Sequence, residues 1–150
     1  MCSYCGCRSI ELIGRLSTQH DEIVNATTAL RTAAAGHDQP GAAAACVVLA
    51  DLLHPHTRIE ERGLFAELRL DDTFTDHIDA LCGEHRDLDR ELAAISSGDL
   101  TRVTPFIQLL RDHISKEENG LFPAAAIALD GEQWERLHAD DESTAVHPPD

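Results

Sequence analysis

The tract His56-Thr-Arg-Ile-Glu60-Glu61-Arg-Gly63-Leu64-Phe65 returns fifty-seven residues later as His113-Ile-Ser-Lys-Glu117-Glu118-Asn-Gly120-Leu121-Phe122, with six of ten positions identical. A shorter echo precedes each copy, Gln19-His20-Asp21-Glu22-Ile23 before the first and Glu84-His85-Arg86-Asp87-Leu88 before the second. The order His, then HxxxE, therefore occurs twice, and a duplication of this kind implies two equivalent structural halves. Residues four apart on an α-helix share a face and lie about 6 Å apart along its axis. Each tract thus presents an imidazole and a carboxylate side by side. Two such pairs and two further His suit a pair of first-row transition metal ions bridged by the carboxylates. An acidic helix with an incidental His is the competing explanation, and it leaves the repeat unaccounted for.

Composition narrows the fold. The 150 residues are one domain's worth of chain, and the 43% that are hydrophobic are mostly Ala, Leu and Ile, with only 4% aromatic. Such a mixture favours helices over sheets. The net charge of −15, from 27 acidic against 12 basic residues, argues against nucleic acid or an anionic membrane as a partner. No signal peptide and no apolar run of membrane-spanning length is evident, so a cytoplasmic protein is expected. Five Cys, an odd number with three crowded at the start, do not resemble a secreted disulfide framework.

Four apolar-periodic segments are separated by breaker clusters. They run from about Ser9 to Ala35, Ala42 to Leu70, Phe74 to Ile95, and from between Asp99 and Pro105 to about Leu129. In all four, the His and Glu of the repeated pattern fall within the apolar stripe, where unpaired burial would cost several kcal/mol each. Convergence of six such groups makes sense around positive charge. Short loops make neighbouring helices antiparallel, which predicts an all-α, up-down-up-down four-helix bundle over residues 9–130. Residues 1–8 form a Cys-rich amino-terminal segment. Residues 131–150 form a short extension, one or two helical turns around Trp134 and Leu137 and then a disordered tail.

These residues resemble the hemerythrin-like, or HHE cation-binding, domains of bacterial type. The resemblance covers roughly Ile10 to Leu129 and is most specific in the two HxxxEExxLF tracts, the second continuing into Pro123. It implies metal ligands at His20, His56, Glu60, His85, His113 and Glu117, and a non-haem di-iron centre with a bridging oxo or hydroxo group. The chain departs from the oxygen-carrying members. Leu81 and Asp89 stand four residues either side of His85, where those proteins have a second His, and the last pair is His and Glu four apart rather than His and Asp five apart. Two six-coordinate irons offer twelve positions. Four His and two bridging carboxylates fill eight, and a bridging oxygen two more, which leaves two open unless Asp89 or another group closes one.

That count favours redox chemistry on hydrogen peroxide or nitric oxide, a catalase- or peroxidase-like role in oxidative or nitrosative defence. The alternative is a module that binds or senses oxygen, nitric oxide or iron without turnover, and a structural metal such as zinc is a third. A ferritin-like site needs Glu-x-x-His on two helices, and the only instance is Glu135 with His138 in the tail. Around the ligands, His77, Asp89, Glu61 and Glu118 are candidates to orient a His or carry protons. His54 is expected to face away from the site. Pro55, just before His56, is expected to kink or bulge the helix at the ligand turn, either aiming His56 or as a tolerated break. Cys2, Cys5 and Cys7 admit two readings, oxidisable thiols on a mobile segment or a redox or metal-delivery site, and Tyr4 reaches the bundle only if that segment folds back. Cys46 and Cys82 are expected to act as small buried apolar residues.

Overall fold

The computed structural model describes residues 7–146, with side chains over 9–140, and among them every regular element is a helix. Cys2, Tyr4, Cys5 and the side chain of Cys7 lie outside the described residues. Five long helical segments follow one another among the described residues. They are α1 (Cys7–Ala35), α2 (residues 39–68), α3 (Thr75–Ser96), α4 (residues 103–128) and α5 (Gly131–Val146). Within α2, an α-helix Gln39–Ile59 passes through a π-helical turn Glu60–Leu64 into a last α turn Phe65–Leu68. The same construction recurs in α4, as Val103–Lys116, the π turn Glu117–Leu121 and Phe122–Ala128.

Local chemistry sets the helix ends. His37, after α1, takes the left-handed conformation (φ 52°), and Asp38 N–H donates back to Ala33 O at 2.8 Å. Gly98 does the same after α3 (φ 116°), with Asp99 N–H donating to Ala94 O at 3.1 Å. Each connection also carries an Asp whose carboxylate accepts a following backbone N–H: Asp38 from Gly41, Asp71 from Thr73 and Asp99 from Thr101. With connections this short, successive helices must run antiparallel. α1 packs on α2, α2 on α3 and α3 on α4, and α4 returns to α1.

The core is divided in two. One cluster joins Ile23, Leu30, Leu49, Leu53, Leu88, Leu92, Phe106 and Leu110, and the other joins Leu12, Leu16, Leu64, Phe65, Ile78, Leu81, Leu121 and Phe122. His20, His56, Glu60, His85, His113 and Glu117 all fall between these two sets along their helices, and all are buried. A polar layer thus crosses the middle of the bundle between two apolar blocks.

Two features differ from the expectations above. The carboxy-terminal element is a sixteen-residue helix rather than a turn or two, and Trp134 and Leu137 belong to the second core cluster. Gly63 makes room for it, since a methyl group there would stand 3.2 Å from Leu137 Cδ2. Arg136 and Gln133 donate to Glu67 of α2 at 2.9 and 3.2 Å. Two apolar residues in an acidic stretch give little periodicity, and the contacts that hold α5 come from other helices. The second difference concerns Pro55, which lies inside the α-helical part of α2. The irregular turn begins five residues later and recurs in α4, where Asp112 occupies the position equivalent to Pro55. The π turns therefore belong to the repeated tract and not to proline. No described helix is long and apolar enough to cross a membrane.

Candidate metal centre

The π turns explain how each tract serves the site twice. His56 and Glu60 keep ordinary α-helical spacing and face inward together. The next turn is then widened by the bond from Phe65 N–H to Glu60 O, and in α4 by the bond from Phe122 N–H to Glu117 O. Widening brings two adjacent residues inward, so Leu64 with Phe65, and Leu121 with Phe122, are all buried. Phe65 stacks on His85 with ring centroids 5.8 Å apart, and Phe122 stacks on His20 at 5.6 Å.

The six polar residues form two four-donor groups. His20, His56, Glu60 and Glu117 offer ligand atoms that all lie within 4.8 Å of one another, and so do Glu60, His85, His113 and Glu117. Glu60 and Glu117 belong to both. Imidazole rings pair within each group, His20 with His56 at 4.6 Å and His85 with His113 at 4.7 Å, both steeply tilted. Such tilting prevents stacking while letting ring nitrogens converge. His20 Nε2 and His113 Nε2 approach Glu117 Oε1 at 3.2 and 3.1 Å, and His56 Nε2 approaches Glu60 Oε1 at 2.5 Å.

The hydrogen-bond accounting shows what the layer lacks. His56 Nε2, both Glu60 oxygens, Glu117 Oε2 and His85 Nδ1 are buried without a hydrogen-bond partner. An unsatisfied buried carboxylate costs several kcal/mol, and a cation among these lone pairs removes that cost. Burial pushes the His113 imidazolium down to about 4, reinforced by the neighbouring His85, so the ring is neutral and its Nε2 lone pair available near neutral pH. Burial works against ionisation of Glu60, but the close approach of His56, with His85 and His113 nearby, outweighs it and holds the carboxyl below its ordinary range. Imidazoles around shared carboxylates are the donor set that first-row transition metals prefer.

Outside the donors, a second ring of residues repeats with the same two-fold pattern. His20 Nδ1 lies 2.7 Å from Glu118 Oε1, and His85 Nδ1 lies 3.7 Å from Glu61 Oε1. His56 Nδ1 lies 2.7 Å from Gln19 Oε1, and His113 Nδ1 lies 3.1 Å from Glu84 Oε1, whose other oxygen accepts from Lys116 at 2.7 Å. Gln19 and Glu84 were not singled out by sequence reasoning. Their one signal is positional, since each immediately precedes the single His of its half. Carboxylate or amide partners at Nδ1 fix ring orientation and raise ligand basicity at Nε2.

Of the other sequence candidates, Glu118 and Glu61 stand beside the donors, whereas His77 and Asp89 do not. His77 is exposed, and Asp89 lies on the surface with its Oδ1 3.1 Å from Nε2 of the equally exposed His54. The open coordination position that Asp89 was a candidate to close is therefore not one it reaches in this structure. Cys46 and Cys82 are free and buried, and burial, with Glu61 nearby, pushes the Cys82 thiol up to about 11.

Fold and site together define a helical bundle with two adjoining buried donor groups of the kind that can hold a metal ion. The chain belongs to the family of hemerythrin HHE cation-binding domains, whose family model matches residues 11–125. No curated protein and no solved structure shows significant similarity to it.

Proposed function

We propose that this chain is a cytoplasmic non-haem di-iron protein with catalase- or peroxidase-like reactivity toward hydrogen peroxide or nitric oxide, acting in oxidative or nitrosative defence. The observation that carries the reading is the sharing of Glu60 and Glu117 by two His-containing donor groups, with three of their four oxygens lacking a hydrogen-bond partner. In this proposal residues 9–130 are an up-down-up-down four-helix bundle with α5 as a buttress. His20 and His56 would hold one ion and His85 and His113 the other, with Glu60 and Glu117 available to both. Two irons with a bridging oxo or hydroxo group would supply paired one-electron redox steps and open positions for a small ligand.

The protein's own contribution is positional. Glu118, Gln19 and Glu84 orient three of the four imidazoles, and the apolar clusters on either side keep bulk water from the layer. Glu118, Glu84 and Glu61 are the acids close enough to exchange protons with the site's edge. Oxygen release from hydrogen peroxide tests the proposal. The iron-loaded protein is expected to turn over many times and outpace free iron at equal concentration, and His85→Ala is expected to abolish the excess. A protein no faster than free iron that binds oxygen or nitric oxide reversibly would instead be a binding module without turnover.

A further inference from the structure

We propose that exogenous ligands reach the centre from the His85 side, through a groove on α2 where Glu61 is the gate and Arg58 and Arg62 favour small anions. The inference rests on the reading of the site as a metal centre and concerns which of its two faces is open.

The groove has a volume of about 270 Å³ and is lined by His54, Thr57, Arg58, Glu61 and Arg62. Glu61 joins it to the interior, with Oε1 3.7 Å from His85 Nδ1. That nitrogen is buried and has no hydrogen-bond partner. The internal repeat supplies a built-in comparison. Glu118, equivalent to Glu61, is clamped: Oε1 lies 2.7 Å from His20 Nδ1, and Oε2 accepts the Ser17 hydroxyl at 2.9 Å. Ser17 stands three residues before His20, and the residue three before His85 is Cys82. The Cys82 thiol contacts Glu61, but a thiol is a much weaker donor than a hydroxyl, so Glu61 is held more loosely than Glu118.

Charge follows the same asymmetry. Arg58 and Arg62 are exposed, one turn apart, and neither has an ion-pair or hydrogen-bond partner among the described residues. Their counterparts in α4 are Ser115 and Asn119, which hydrogen-bond to each other at 3.1 Å. In a chain of net charge −15, two unpaired cations beside one groove attract small anions to that face and not to the other.

Two measurements on the full chain test this, one independent of metal. In metal-free, 15N-histidine-labelled protein, the ring N–H of His85 is expected to exchange with water at least ~10-fold faster than that of His20. Cys82→Ser should slow it toward the His20 rate by restoring the clamp. Equal exchange for the two rings, or no response to Cys82→Ser, would overturn the proposal whatever metal the protein binds. In iron-loaded protein, azide is the anionic probe and nitric oxide the neutral one. Arg58→Ala with Arg62→Ala should lower the azide association rate roughly five-fold at low salt and remove most of its salt dependence, with nitric oxide changed less than about two-fold. If Ser17→Ala accelerates azide and the double Arg variant does not slow it, entry is from the His20 side and the proposal is wrong. Absence of bound iron in the wild type would sink the di-iron reading, and the exchange measurement would still decide which face is open.

Discussion

Phe65 of α2 stacks on His85 of α3 with ring planes 10° from parallel, and the repeat reproduces this contact as Phe122 of α4 on His20 of α1, at 7°. Each duplicated tract ends in a phenylalanine that supports the single His of the other half. The two halves are thus cross-braced, and neither assembles its donors alone. This interlocking predicts that Phe65→Ala and Phe122→Ala each cost about 3–5 kcal/mol of stability. Denaturant unfolding of both variants checks it, and costs differing by more than about 2 kcal/mol would contradict the equivalence of the halves.

Removal of a donor should remove metal and stability together. His56→Ala or His113→Ala deletes one imidazole from a layer whose carboxylates are otherwise unsatisfied. Metal that binds only the folded state contributes about 4 kcal/mol at a thousand-fold excess over its dissociation constant. Losing that contribution lowers the melting temperature by roughly 10 °C. Metal analysis and thermal unfolding on the same sample are the check, and a variant with full metal content would show that its His is not a ligand.

Acid should weaken the metal-free protein in a defined window. The His113 value in the folded state, about 4, lies below its ordinary 6.5. Between those values the unfolded chain binds more protons than the folded one, so stability is full above about pH 6.5 and falls as the pH drops toward 4, by on the order of 3 kcal/mol. The lowered Glu60 carboxyl acts in the same direction as the pH falls further. His113→Gln should flatten the upper part of this decline. Bound metal competes with the same protons, so it should delay the onset. Unfolding midpoints measured from pH 7.5 to 4 decide this, and a flat profile would contradict a neutral, buried His113.

α5 should be structural and not part of the site. Trp134 is buried against the cluster that also holds Leu12, Leu16 and Leu64. Trp134→Ala is expected to cost about 3–5 kcal/mol, while protein still folded at low temperature keeps the wild-type metal content. Loss of metal without loss of stability would place α5 in the site instead.

The sequence made the site's inner layer legible because a repeat and a stripe coincide. His20, His56, Glu60, His85, His113 and Glu117 fall at helical spacing among Leu and Ile, and the duplication marks the same residues twice. The outer ring was less legible. Gln19 and Glu84 act across to a neighbouring helix, and partners between helices have no fixed spacing along the chain. His77 illustrates the limit of spacing arguments. Eight residues from His85 is about 80° beyond two full turns, enough to carry it past the buried arc set by Ile78 and Leu81 into solvent. The π turns were invisible because an inserted residue changes which side chains face inward without disturbing the HxxxE pair before it.

Metal content joined to a visible absorption spectrum tests the central claim most directly. Protein produced with iron should carry two iron ions per chain, with absorption bands from oxygen-to-iron charge transfer, and both should be lost on chelation together with thermal stability. Zinc alone, or no metal after expression with iron, would contradict the di-iron reading.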